Sequence, residues 1–232
     1  MKKKTRRKRE MKFIRRISAL LAAAVLCLSL TGCGNFSDTV KILVQGNLDE
    51  IYLGQANAEY LKLINSDEKE TQENYIGGLE TEAEFFISYF GIEYPTEELM
   101  GEIVEMYKQI YAHSKYIVNE PAKLDDDTYA VKVQISPIDI FQLVSDNFDD
   151  GMDEFYSKYE QVDIDAMSEE EYAQFDLDWA RAIIKLVYEQ LPNLGYLEEQ
   201  SIAIQVAKNK DGVWMITDND LGSVDNAMIY YP

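Results

Sequence analysis

The spacing of apolar residues changes period three times along this chain, and that alternation constrains the fold more than its composition does. From Asp38, the residues Val40, Val44, Leu48 and Ile51 recur every three or four positions, as on one face of a helix. Gly54 then reads as a helix stop and Asn57 as the cap of a short piece carrying Tyr60, Leu61 and Ile64. Ser66-Asp67 opens a longer helix to about Phe90, with a kink or close contact expected at Gly77-Gly78, and Pro95-Thr96 opens another carrying Leu99, Ile103, Met106 and Ile110. After His113 the period becomes two. Tyr129, Val131, Val133 and Ile135 alternate with Ala130, Lys132 and Gln134, which describes a strand with one wet face in an antiparallel sheet.

The pattern then repeats. Phe141, Val144, Phe148, Met152, Phe155 and Tyr159 form a second helical stripe, with a break expected at Asp149-Asp150-Gly151. Ser168 and Glu171 have the spacing of a capping box ahead of a helix carrying Tyr172, Phe175, Trp179, Ile183 and Leu186. Ile202, Ile204 and Val206, then Val213 to Ile216, close a second hairpin through Asn209-Lys210-Asp211-Gly212. The expected fold class is α+β: a four-stranded antiparallel sheet with helices packed on one face, plus an extended helical N-terminal section. One domain spans 38–232, helical over 38–113, hairpin over 115–136, helical over 138–191 and hairpin over 199–218.

Residues 1–32 differ in kind. They hold ten basic residues and one acid, and Ile17 to Leu30 is an apolar run of 14 residues. A bilayer core needs about 20 apolar residues as helix, so a basic head with a short apolar run reads as a secretory signal peptide. Leu30-Thr31-Gly32-Cys33 resembles the lipobox of bacterial lipoproteins. That resemblance implies cleavage before Cys33, acylation of the Cys33 sulfur, a tether over 33–37 and a lipid anchor at the extracytoplasmic face of the cell membrane. Met11 begins an equally good signal and is an alternative start.

Removal of residues 1–32 leaves 200 residues with 12 basic and 41 acidic side chains. So acidic a chain excludes nucleic acid as a partner, because phosphates attract clustered Lys and Arg. The other cysteine, Cys27, leaves with the signal, so neither an internal disulfide nor a cysteine nucleophile is available. The helix-then-hairpin order, ending in Val213-Trp214-Met215-Ile216, resembles cystatin-like and nuclear-transport-factor-like secreted domains, and the whole is similar to uncharacterised lipoproteins of Gram-positive bacteria.

No motif in the chain specifies catalysis. His113 is the sole histidine; it is in phase with an apolar helix face, and reads as a partly buried capping residue before it reads as a general base. Gly77-Gly78 lies in a helical pattern and makes no phosphate loop, and Leu221 to Asp225 lacks the second glycine of a nucleophile elbow. Trp179 and Trp214 could form sugar platforms but lie in phase with core stripes. Asp146 to Ala180 holds thirteen acids against one base, Lys158; aligned on Gly151 it fails the calcium-loop pattern, with Phe148 and Ser157 at ligand positions. It reads as a solvated face.

The expectation is a lipid-anchored, non-catalytic binding or interaction module without cofactor or metal. Its partners would be the membrane, through Cys33, and a protein or small ligand. The alternative is a carboxylate-dependent extracytoplasmic hydrolase, which requires two acids converging in a cleft with at least one raised pKa. A transporter's solute-binding component ranks third, since it needs two lobes and a longer chain.

Overall fold

The computed structural model describes residues 36–210 and 212–232; the signal peptide, the lipobox and Cys33 lie outside the described residues. The described chain separates into two compact units, interleaved in sequence. One takes 36–78, 114–137 and 198–228, and the other takes 79–113, 138–197 and 229–232.

The first unit holds the sheet. Helix α1 (Phe36–Leu48) begins within the stretch expected as a tether and buries Val40, Leu43, Val44 and Leu48. It passes into a π-helical turn, Asp49–Leu53, which ends at Gly54 in the left-handed region (φ 61°). A π turn winds one more residue per turn than the α-helix. The apolar face therefore shifts, and Tyr52 enters the core while Ile51, expected there, stays half-buried. Asn57 caps α2 (Ala58–Ile64) by accepting from the Tyr60 N–H. Helix α3 (Glu68–Phe90) follows, supplying 68–78 to this unit and 79–90 to the other. It runs unbroken through Gly77-Gly78, and among the described residues a Cβ at either glycine would meet nothing within 4 Å.

The sheet is antiparallel, as expected, with five strands: β1 (Lys115–Val118), β2 (Ala122–Asp125), β3 (Thr128–Ser136), β4 (Gln200–Lys208) and β5 (Trp214–Ile216). The order is β1-β3-β4-β5, and β2 pairs with the opening residues of β3. The extra strand arises where Asn119 folds over β3. Its backbone N–H and its side-chain amide both donate to the Lys132 carbonyl, and Pro121, lacking an N–H, interrupts the ladder. Tyr129, Val131, Val133 and Ile135 are buried, and cross-strand register sets Val131 opposite Ile204 and Tyr129 opposite Val206. Helix α9 (Asp218–Met228), not anticipated from the sequence, packs on β4 and β3 and buries Leu221, Val224 and Met228.

The second unit is helical apart from isolated bridges. Besides its part of α3 it contains α4 (Glu97–Tyr111), three short helices α5 (Ile140–Asp146), α6 (Phe148–Gly151) and α7 (Asp153–Tyr159), and the long α8 (Glu169–Gln190). Thr96 caps α4. Ser168 and Glu171 form the expected capping box. The second stripe breaks at Asn147 and Met152, flanking the expected position. Arg181 on α8 pairs with Glu102 (2.6 Å) and Glu98 (3.0 Å) on α4.

Candidate functional site

The second unit contains an open cleft of about 570 Å³ at the N-terminal half of α8. Six aromatic side chains line it: Phe155, Tyr156 and Tyr159 from α7, and Tyr172, Phe175 and Trp179 from α8. The periods of the two helices explain this convergence. Phe155/Tyr159 and Tyr172/Phe175/Trp179 are each spaced three or four apart, so each set shares one face. The rings meet edge-on and tilted, with Tyr159–Phe175 centroids at 4.8 Å and Phe155–Trp179 at 5.4 Å. Ile164 and Gly91 complete the apolar lining, and Glu160 and Asp176 add carboxylates.

Two lining residues lie outside the sequence expectation, Tyr156, which belongs to neither apolar stripe, and Asp176. Asp176 is one of thirteen acids in a segment whose sequence predicts a solvated face, and eleven of the thirteen are exposed. Asp176 is only 3% exposed. Its Oδ2 accepts from the backbone N–H groups of Glu93 (2.9 Å) and Tyr94 (2.8 Å), so the turn after α3 is clamped to α8. A carboxylate tolerates burial when donors replace its water. The signal was present in the sequence, because Asp176 is in phase with Tyr172, Trp179 and Ile183 on the apolar stripe.

Trp179, expected in the core, is half-buried and lines the cleft, its indole N–H donating to the Phe90 carbonyl at 3.1 Å. Trp214 does sit in the core of the first unit, against Phe36 and Tyr129. Lys158 pairs with Asp178 and stands over the Tyr159 ring, 5.2 Å from its centroid. Burial, then a hydrogen bond to Asp178, raises the Tyr159 phenol above its ordinary value. The Tyr172 phenol is also raised, by burial first and then by the charges of Glu93 and Asp176. The cleft is therefore apolar on its walls, with the carboxylates of Glu160 and Asp176 at its lining.

His113 departs from expectation. Its side chain is exposed, and what the fold uses is its backbone, whose carbonyl accepts from the Tyr196 hydroxyl at 2.9 Å. Among the described residues no group of three or more His, Cys, Asp or Glu side chains could hold a metal ion. None of the described helices is long and apolar enough to cross a membrane.

The first unit carries a separate polar network around the π turn. Glu50, buried, accepts from the Tyr60 hydroxyl (2.6 Å) and the Asn74 amide (3.0 Å). Asp49 accepts from Tyr116 (2.6 Å), and Tyr52 reaches Asp225 at 3.4 Å. Desolvation pushes the Asp225 carboxyl up to about 6, against the opposing hydrogen bond from Tyr52. Asp225 belongs to the first unit, whereas the carboxylates lining the aromatic cleft belong to the second.

Comparison with known proteins adds a family and a fold. Residues 44–228 match the model of a domain of unknown function, DUF5105. A crystal structure described as a "putative lipoprotein (ycdA)" from Bacillus subtilis superposes with a TM-score of 0.55 at 17% identity, covering 84% of this chain and 59% of that one. At that identity the likeness is one of fold. No curated protein matches the sequence.

Proposed function

The chain belongs to the DUF5105 family, and from that premise we propose that it is a lipid-anchored extracytoplasmic lipoprotein acting as a non-catalytic binding module, with the aromatic cleft as its binding site. The cleft carries this reading. Its volume lies within the range of small-molecule sites, roughly 300–1,000 Å³, and its mostly apolar walls with a few carboxylates have the composition of such sites. The anchor rests on the Leu30-Thr31-Gly32-Cys33 lipobox behind a basic, 14-residue apolar leader, and the fold neighbour described as a lipoprotein is in keeping with it. Stable anchoring takes more than one acyl chain, each buried CH₂ contributing about 0.8 kcal/mol. The resemblance to cystatin-like and nuclear-transport-factor-like domains is likewise part of this proposal.

The hydrolase alternative is the weaker reading, for a geometric reason. It needs a raised-pKa acid and a second acid in one cleft. The raised carboxyl, Asp225, does not line the cleft, and the acid buried there, Asp176, already accepts two backbone N–H groups through Oδ2.

Replacement of the acylated thiol tests the anchor. Cells making Cys33→Ser should release the protein from the membrane fraction, with loss of labelling by a fatty-acid analogue. Continued sedimentation of an unlabelled Cys33→Ser protein with membranes, or an unlabelled wild type, would overturn the anchoring.

A further inference from the structure

We propose that the cleft in the second unit receives a small organic cation: an alkylated ammonium carried on an apolar or aromatic body. This rests on the cleft being the binding site and adds the charge and chemistry of its occupant. Aromatic faces carry negative quadrupole potential, so a cation held over them is attracted, most strongly over Trp. Here Trp179, Phe175, Tyr172 and three rings of α7 surround one space, and that space admits a molecule of ten or more heavy atoms.

Charge complementarity selects the sign. Glu160 lies at the lining with an exposed side chain, Asp176 lies at the lining buried, and among the described residues that line the cleft there is no Lys or Arg. The nearest base in sequence, Lys158, is neutralised by Asp178. Its ammonium already stands over the ring of Tyr159, so one of these rings holds a cation within the protein itself. Anions are disfavoured by the carboxylates of Glu160 and Asp176 at the lining.

The chemistry of the walls narrows the class. A bare metal ion needs several oxygen ligands, and no such cluster occurs among the described residues. A sugar also stacks on rings but takes its specificity from hydrogen bonds to its hydroxyls, and here the Tyr159 hydroxyl is given to Asp178 and one Asp176 oxygen to the backbone of Glu93 and Tyr94. An alkylated ammonium needs no hydrogen bond. Rings and a diffuse negative field satisfy it.

The test uses the full chain in dodecyl maltoside micelles with Trp214→Phe, which leaves Trp179 as the sole indole and the cleft as the reporting site. Benzyltrimethylammonium is titrated beside its uncharged near-isostere 2,2-dimethyl-1-phenylpropan-1-ol, at free concentrations fixed by dialysis. The expected result is a saturable change in Trp179 fluorescence with the cation, at an affinity about tenfold or more above the alcohol's. Raising NaCl from about 20 to 500 mM should weaken the cation and leave the alcohol unchanged. Glu160→Gln with Tyr156→Ala, both exposed positions, should reduce the preference severalfold while the circular dichroism spectrum stays the same. Equal saturable binding of cation and alcohol would overturn the charge assignment and leave the cleft as a binding site. No saturable binding of either probe would overturn both.

Discussion

Glu50 and Asp225 show how one carboxylate can be buried at ease in this protein while another is not. Glu50 faces two donors, Tyr60 and Asn74, which replace the water it loses. Tyr60 reaches it because residue 46 is glycine; a Cβ there would lie 2.2 Å from Tyr60 Cγ. Among the described residues Asp225 has one longer partner, Tyr52 at 3.4 Å, and desolvation prevails, lifting its carboxyl from 3.8 to about 6. The sign of the consequence follows from linkage. Between these values the folded chain keeps a proton that the unfolded chain has released, so Asp225 favours folding below about pH 4 and loses that contribution as pH rises through 6. The span is worth at most about 3 kcal/mol, and nearer 2 for a group this close to the surface. Asp225→Asn should therefore melt about 5 °C above the parent at pH 7.5 and converge with it near pH 4. Scanning calorimetry across that range measures it, and a pH-independent offset would contradict the assignment.

At the level of elements, local chemistry made much of the fold legible and long-range pairing hid the rest. Caps written as single side chains were readable: Asn57, Thr96 and the Ser168–Glu171 box all stand where the sequence placed them. So was the one-faced strand from Tyr129 to Ile135. The π turn was not, because an inserted residue leaves composition unchanged while turning Tyr52 inward in place of Ile51. Strand β2 was not, since all four of its residues are exposed and only the ladder to β3 defines it. Helix α9 was obscured by Gly222 and its many polar residues, although Leu221, Val224 and Met228 keep helical spacing. The cleft was half legible. Five of its six rings lie on the two apolar stripes and Tyr156 lies on neither, and that they leave a space between them depends on how α7 and α8 meet. The capping box tests how firmly that arrangement is held. Ser168→Ala removes the acceptor of the Glu171 N–H and should cost about 1 kcal/mol, read as a lower denaturant midpoint with unchanged slope. Ser168→Asp should restore the midpoint. Loss in both variants would mean that the hydroxyl acts through some contact other than the cap.

For the molecule as a whole, charge is the dominant long-range term. Residues 36–232 hold 12 bases and 41 acids, an excess of 29 negative charges that the chain's own bases cannot neutralise. The ion pairs that do form are mostly at the surface, as with Lys69–Glu73 and Lys185–Glu154, where each contributes between nothing and about 1 kcal/mol. Repulsion acts over a Debye length of about 10 Å at 0.1 M salt and sums over many pairs. Folding concentrates that charge, and added salt relieves the repulsion more than it weakens a few exposed attractions. The melting temperature at pH 7.5 should thus rise by several degrees between about 10 mM and 500 mM NaCl. A fall over that range would show that ion pairing, not repulsion, governs stability. Lowering the pH at low salt offers an independent check. Protonation of the exposed carboxylates discharges the surface, so the salt response should shrink as pH approaches 4, where Asp225 is also neutral. A salt response that persisted undiminished at pH 4 would have to come from something other than carboxylate charge.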